Sequence, residues 1–268
     1  MSRIIAALSF FTRLPFWRLK SLTKEDYERV VPLWPLTGWF TAFTMMLVFW
    51  LTSLCLPLSI AVILAITARL LVTGALHEDG FADFFDGFGG GRDREATLRI
   101  MKDPHIGTYG VVALIVYFIL LFSILQTYFI GVSQMTPVNC FGLEQQSIWD
   151  NLTFATIFLA ADPFSKWASS NIINVLPYAR KAEDAKNKLV YNKMTISEKI
   201  IGFLTGAIPA FLFFSWRIVF PMFASTLMAA IIIYICFKKL KAYTGDCCGA
   251  CFIMTELSFY LTALAVFT

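Results

Sequence analysis

The sequence predicts an all-α fold, a polytopic membrane bundle of about seven transmembrane helices (six is the alternative count) preceded by an interfacial helix. Three observations predict it. Of 268 residues, 58% are hydrophobic and 15% charged, with a mean hydropathy of +0.69; a soluble domain is more charged and less apolar. Apolar segments of bilayer-spanning length recur along the chain. Lys and Arg alternate between loops, as the positive-inside rule requires of a multi-pass protein.

The first 18 residues lack the features of a secretory signal: the apolar run is short, Arg13 interrupts it and no small-residue cleavage site follows. On a helix, Ile4, Ile5, Leu8 and Phe11 share one face, with Arg3 and Arg13 placed to reach headgroups, which predicts an interfacial helix. The expected spans are Leu36–Leu56, Ile60–Leu76, Gly107–Val132, Leu152–Leu176, Ile200–Trp216, Ile218–Phe237 and Ala250–Phe267. The second and fifth are short, and only Arg217 separates the fifth from the sixth, so a re-entrant pair gives the six-helix alternative. Little chain remains for a soluble domain. Residues 1–268 are therefore expected to form one membrane-embedded domain, with 77–106 a cytoplasmic catalytic loop carrying short helices.

Of the 22 Lys and Arg residues, 19 lie at the N-terminus or in 77–106, 177–199 and 238–249, while Gly131–Asn151 contains none. These four basic segments are thus expected on the cytoplasmic side of the plasma (inner) membrane, with the C-terminus outside. Membrane lipid is the expected surrounding, and the net charge of +4 gives no reason to invoke nucleic acid. CCGAC, at Cys247, Cys248 and Cys251, lacks a second cysteine pair or a nearby histidine, and reads as small residues packing at a helix entry rather than a metal site.

HEDGFADFFDGFGGGRDRE (77–95) is the chemically informative stretch. Asp79, Asp83 and Asp86 are spaced i, i+4, i+7 and share one helical face. Like charges at this spacing repel. A plain solvated face would intersperse lysines, yet none occurs from 77 to 91, so a cation is expected to balance the stripe. Oxygen-only donors favour Mg²⁺, which commonly uses a few carboxylates together with substrate phosphates. Gly89, Gly90 and Gly91 follow, a backbone able to approach a ligand closely. Arg92, Arg94, Arg99 and Lys102 come next, with Asp93 a candidate N-cap, forming a cradle for phosphate oxygens. Carboxylates for metal beside guanidinium groups for phosphate point to diphosphate chemistry at a membrane surface. His77 and His105 bracket the loop, each readable as general base, phosphate donor or interfacial residue. Within the fourth span, Asp162 and Lys166 are spaced to pair with each other, or else line the mouth of the site.

HEDGFADFFDGFGGGRDREATLRIMKDPHIGTYG (77–110) resembles the signature of the cobalamin synthase (adenosylcobinamide-GDP ribazoletransferase) family. FFTRLPFW (10–17), PYAR (177–180) and YTGDCCGA (243–250) are similar to further motifs of that family, in family order and across nearly the full chain. Two places depart from its pattern: Lys166 stands where arginine is usual, and KAEDAKNK replaces a glycine-containing stretch after PYAR. The resemblance implies a transferase of cobalamin biosynthesis. The 3′-hydroxyl of α-ribazole, or of its 5′-phosphate, attacks the phosphorus that bears the cobinamide in a GDP-activated corrinoid, and GMP leaves. It implies Mg²⁺ on Asp79, Asp83 and Asp86. Arg92, Arg94 and Lys102, with Gly90 and Gly91, are the candidates for binding the diphosphate or the ribazole phosphate; Asp103 and Asp246, which the topology brings to the same face, are second candidates for metal or base, and His105 is a further candidate base. The sequence leaves open a homo-oligomer or an association with other cobalamin-assembly enzymes. Rival readings are a CDP-alcohol phosphotransferase, whose pattern places an arginine where Asp83 stands, a membrane prenyltransferase, which needs a second acidic cluster, and a cation transporter, for which repeated halves are wanting.

Overall fold

A computed structural model of the chain describes residues 2–134, 148–179 and 189–268. Cys140, Arg180 and the KAEDAKNK stretch lie outside them. The described chain is helical throughout apart from one parallel bridge between Tyr178 and Tyr243. In order, the helices are α1 (Ser2–Phe11), α2 (Lys24–Glu28), α3 (Trp34–Ser53), α4 (Leu58–Thr73), α5 (Leu76–Gly90) and α6 (Arg94–Ile100). They continue as α7 (Thr108–Gln134), α8 (Ile148–Ser170), α9 (Ile172–Val175), α10 (Ile196–Phe213), α11 (Val219–Leu240) and α12 (Gly245–Phe267).

Among the described residues, five helices are long and apolar enough to cross a bilayer: α3, α7, α10, α11 and α12. A sixth arises if α4 and α5, bent by 89°, count as one interrupted span. The fourth expected span, Leu152–Leu176, falls on α8, which has the length but not the apolarity, so the expected count of seven is not reached among the described residues. Its physical reason is position. α8 packs against α3, α10, α11 and α12, so most of its surface meets protein rather than lipid, and it carries Asp162, Ser165, Lys166 and Ser169 fully buried. The outer helices show the converse. Ile115, Ile119, Phe211, Leu212 and Phe223 are exposed, a surface suited to lipid and not to water.

Small residues let the central helices close. A side chain at Gly38 on α3 would place its Cβ 2.7 Å from Pro163 Cα on α8, and one at Gly206 on α10 would meet Pro163 O at 3.1 Å. Hydroxyls join α8 to its other neighbours, with Ser169 Oγ 3.0 Å from Thr255 Oγ1 on α12. Small-residue contacts and interhelical hydroxyl bonds are the usual cohesive forces where lipid removes the hydrophobic drive between helices. The Asp162–Lys166 pair lies in this layer at 2.5 Å. Thr41 on α3 completes it, donating to Asp162 Oδ2 at 2.8 Å and accepting from Lys166 Nζ at 2.7 Å. The pair is internal and structural, away from the cavity described below.

The loops gather at one end. Arg13 N–H donates to Val72 O, Asn192 N–H to Glu28 O and Lys239 Nζ to Gly91 O. Every basic segment that the sequence assigns to one side therefore shares one end of the bundle. The N-terminal helix joins it too, burying Ala6, Ala7 and Phe11 against the bundle and leaving Ile4 outward.

Lys166→Met strands the Asp162 carboxylate without its counter-ion. Breaking a buried pair from one side costs about 3–5 kcal/mol, so purified yield and Tm in detergent should fall sharply. Adding Asp162→Leu should restore much of the loss; a single variant of unchanged Tm contradicts the assignment.

Candidate active site

The geometry of the site begins at the α4–α5 bend. Gly74 (φ 65°) and Ala75 (φ 56°) are both left-handed, a conformation that a non-glycine residue adopts at a cost of roughly 1–2 kcal/mol. At Gly74 a side chain would also strike the Arg13 side chain, its Cβ 2.2 Å from Nε. The TRLP segment is thus folded over the bend. What holds the bend is a buried cluster: Arg69 Nη1 on α4 donates to both Glu256 carboxylate oxygens on α12 at 2.6 Å, and Nη2 donates to Tyr117 on α7 and to Glu78 on α5 at 3.4 Å.

With the bend fixed, α5 crosses α12 closely. A Cβ on Gly80 would lie 3.0 Å from Asp246 Cα, and one on Gly249 would lie 3.0 Å from His77 O. The glycines of HEDG and TGDCCG are therefore contact points between the two helices. The side chains beside them, Asp79 and Asp246, line one cavity of about 160 Å³. Aromatic rings form part of its other walls, Phe10 and Phe11 from α1, Trp34 from α3, Tyr178 from PYAR and Tyr191 from the stretch before α10, beside the polar Ser170 and the aliphatic Ile173. Thr244 caps α12 by accepting from Cys247 N–H and donates to Asp246 Oδ2 at 3.3 Å, orienting that carboxylate.

The loop motifs are clamped around this cavity. Ala179 N–H donates to Tyr243 O at 2.8 Å and Tyr243 N–H to Pro177 O at 2.9 Å, tying PYAR to YTGD. Arg94 Nε donates to Leu240 O at 2.9 Å and Nη2 to Ala179 O at 3.2 Å. Arg94, expected on the diphosphate, thus spends its guanidinium on backbone carbonyls of PYAR and of the end of α11.

The acidic stripe divides. Asp79 is exposed at the cavity, while Asp86 is buried. Asp86 Oδ2 accepts from Gly107 N–H at 2.7 Å and Oδ1 from Gly110 N–H at 2.9 Å, at the start of α7. Side chains at Gly107 and Gly110 would run into those same oxygens, which explains the glycines of IGTYG. Seven residues of helix also separate Asp86 from Asp79 by about 10 Å, too far for both to touch one ion. Among the described residues no group of three His, Cys, Asp or Glu side chains converges to hold a metal. A carboxylate pair with substrate oxygens is nonetheless a common Mg²⁺ arrangement. Asp79 and Asp246, which line the same cavity, are the carboxylate pair that fits it; Asp83, half-buried one turn along α5, does not line the cavity.

The glycine tract differs from its expected use. Gly89 and Gly90 lie within α5, and a Cβ on Gly91 would fall 2.3 Å from Thr97 Oγ1, so Gly91 lets α6 fold tightly back. Arg92 and Lys102 are exposed on the loop end and do not line the cavity. Asp103 and His105 pair with each other: Asp103 Oδ1 accepts from His105 N–H at 2.9 Å and lies 2.8 Å from its Nδ1. Cys247 and Cys251 are buried packing residues, as CCGAC predicts. Trp34, Tyr178, Tyr191 and the α1 phenylalanines were not foreseen, because nothing in the sequence marks which aromatics among so many face a cavity.

The profile of a protein family described as cobalamin-5-phosphate synthase matches residues 3–264. An adenosylcobinamide-GDP ribazoletransferase of Shewanella frigidimarina (strain NCIMB 400) is 31% identical over 267 residues, covering 99% of this chain and 95% of the relative. One of Shewanella baltica (strain OS185) is 29% identical over 262 residues, covering 98% and 93%. No solved structure matches.

Asp86→Asn replaces one acceptor oxygen by an amide that faces a backbone N–H. Losing a hydrogen bond to a charged group costs about 1.5–3 kcal/mol, so this variant should melt well below the parent while Asp79→Asn does not; equal Tm values would refute the division of the stripe. The Asp103 carboxyl is held below the usual range first by the His105 amide and then by its imidazole. Its favourable pairing is therefore present above the ordinary carboxylate range and lost as pH falls through the depressed value. His105→Ala should raise the Asp103 titration, followed by NMR, only part of the way to normal.

Proposed function

The chain belongs to the cobalamin-5-phosphate synthase family, and from that membership we propose that it is a transferase joining GDP-activated adenosylcobinamide to α-ribazole or its 5′-phosphate. GMP is released and the lower nucleotide loop of cobalamin is completed. The single observation that carries the reading to particular residues is the meeting of Asp79 and Asp246 at one cavity, enforced by the Gly80 and Gly249 contacts.

The ribazole 3′-hydroxyl oxygen forms a bond to the phosphorus bearing the cobinamide, and the bond from that phosphorus to the GMP oxygen breaks. Asp79 or Asp246 takes the hydroxyl proton, which requires a carboxylate within hydrogen-bond reach of the acceptor; a cavity lined by both supplies it. Mg²⁺, when bound, would offset negative charge on the diphosphate and leaving phosphate. Asp79 and Asp246 are the residues we assign to hold it, with Asp83, the next acid along α5, as the third candidate. Arg92 and Lys102, exposed at the same end, add positive potential for an anionic substrate arriving from solvent. We place this end in the cytoplasm at the inner membrane, on the distribution of Lys and Arg.

Full-length protein in vesicles, given the GDP-activated corrinoid, α-ribazole 5′-phosphate and Mg²⁺, should release GMP; CMP from a CDP-alcohol instead would favour the phosphotransferase rival. Asp79→Asn and Asp246→Asn should each lower kcat by about 100-fold or more at unchanged Tm. Asp83→Asn should raise the Mg²⁺ concentration needed for half-maximal rate, and full activity with the parental Mg²⁺ dependence would overturn the metal assignment.

A further inference from the structure

Two buried ring nitrogens lack partners, and both belong to residues lining the cavity. Trp34 Nε1 and His77 Nε2 make no hydrogen bond, although the residues are only 2% and 3% exposed. A buried polar nitrogen without a partner is costly, so the Trp34 indole N–H, on a residue that lines the cavity, calls for an acceptor from a bound ligand. The surroundings define its shape. Trp34 stacks on Phe11 with centroids 5.3 Å apart and an 8° interplanar angle, and Phe10 and Tyr191 meet edge to face at 6.0 Å. Aromatic walls favour a flat guest. A cavity of about 150 Å³ is enough to bind benzene in an engineered protein, and this one, at about 160 Å³, admits a small ring system but no corrinoid.

We propose that this cavity seats the planar heteroaromatic base of the acceptor nucleoside, with the Trp34 indole N–H donating to the base's unsubstituted ring nitrogen. The inference rests on the reaction proposed above and assigns its acceptor subsite. A benzimidazole offers one ring-nitrogen acceptor and an otherwise apolar edge, which matches one indole N–H among aromatic walls. The lining also carries the polar Asp79, Asp246, Ser170 and Thr244, so guanine, the other base in the reaction, is the competing occupant, and the GMP arm of the test below separates the two. Seating the base here directs its ribose toward Asp79 and Asp246, so the subsite also positions the attacking hydroxyl. His77, packed 5.6 Å from Trp34 between ring centroids, backs the indole on the same wall of the cavity.

The test uses the full-length protein in nanodiscs and two edits, one on each side of the proposed bond. Trp34→Phe keeps the wall and removes the N–H. An α-riboside 5′-phosphate of 5,6-dimethylindole keeps the base outline and removes the acceptor nitrogen. Each edit alone should weaken binding of the α-ribazole 5′-phosphate probe, by titration calorimetry, about five- to tenfold, and the two together no more than one alone. The KM for the GDP-activated corrinoid should not move. Additive losses, or no loss with the indole analogue on the parent protein, would overturn the subsite, and the analogue does so irrespective of how Trp34→Phe folds. Competition by GMP that Trp34→Phe relieves would assign the cavity to the other base and equally overturn it. If the parent protein forms no GMP at all, the reaction itself fails; if it turns over while the indole analogue binds as tightly as ribazole, the subsite alone fails.

Discussion

Arg69 is the constraint on which the site depends. One buried guanidinium on α4 holds Glu256 of α12, Glu78 of α5 and Tyr117 of α7. Its forked donor geometry lets a single residue serve three helices, which a lysine's point charge would not. A charge at this depth is tolerable only when paired, so the four helices are committed to one arrangement. The direction of α5 follows: an 89° turn through two left-handed residues would be hard to maintain unless Glu78, immediately after His77, were tethered.

Close helix contact does the rest. Gly80 and Gly249 permit α5 and α12 to touch, and residues adjacent to such a crossing are forced into the same small volume. Asp79 and Asp246, 167 positions apart in the chain by their numbering, meet for that reason. The same logic removes Asp86 from the cavity. Its carboxylate anchors the start of α7 through two glycine amides, fixing the far end of α5 as Arg69 fixes the near end. A helix pinned at both ends presents Asp79 and Asp83 with little freedom, a requirement for catalysis by positioning.

The polar interior has two separate tasks. Asp162, Lys166 and Thr41 knit α8 to α3, whereas the cluster on Arg69 orients α5. Phe252 joins them, lying 5.0 Å from Lys166 Nζ and 6.0 Å from the Arg69 guanidinium carbon. The aromatic face softens the proximity of two buried cations and backs His77 at 4.7 Å. The wall behind the cavity is thereby as fixed as the helices that frame it.

Sequence alone determined the helical membrane class, the common end of the basic loops and the motif residues, because hydropathy, charge alternation and spacing are local properties written along the chain. Local pattern also placed Asp79, Asp83 and Asp86 on one stripe, but it could not divide them: which carboxylate meets solvent and which caps a neighbouring helix depends on what packs against α5. The glycine tract posed the same problem, since Gly91 reads as ligand-approaching until Thr97 is seen against it. Arg94 looked like a phosphate ligand until two backbone carbonyls came within its reach. α8 read as a span by its length, yet it is too polar to qualify as one, for a reason no window could contain, namely that its surroundings are other helices. Only the tertiary structure decided the aromatic-walled cavity, to which α1, α3, α5, α8, α9, α12, PYAR and the stretch before α10 all contribute, because convergence of distant segments is set by packing and by the buried charges that packing must pair.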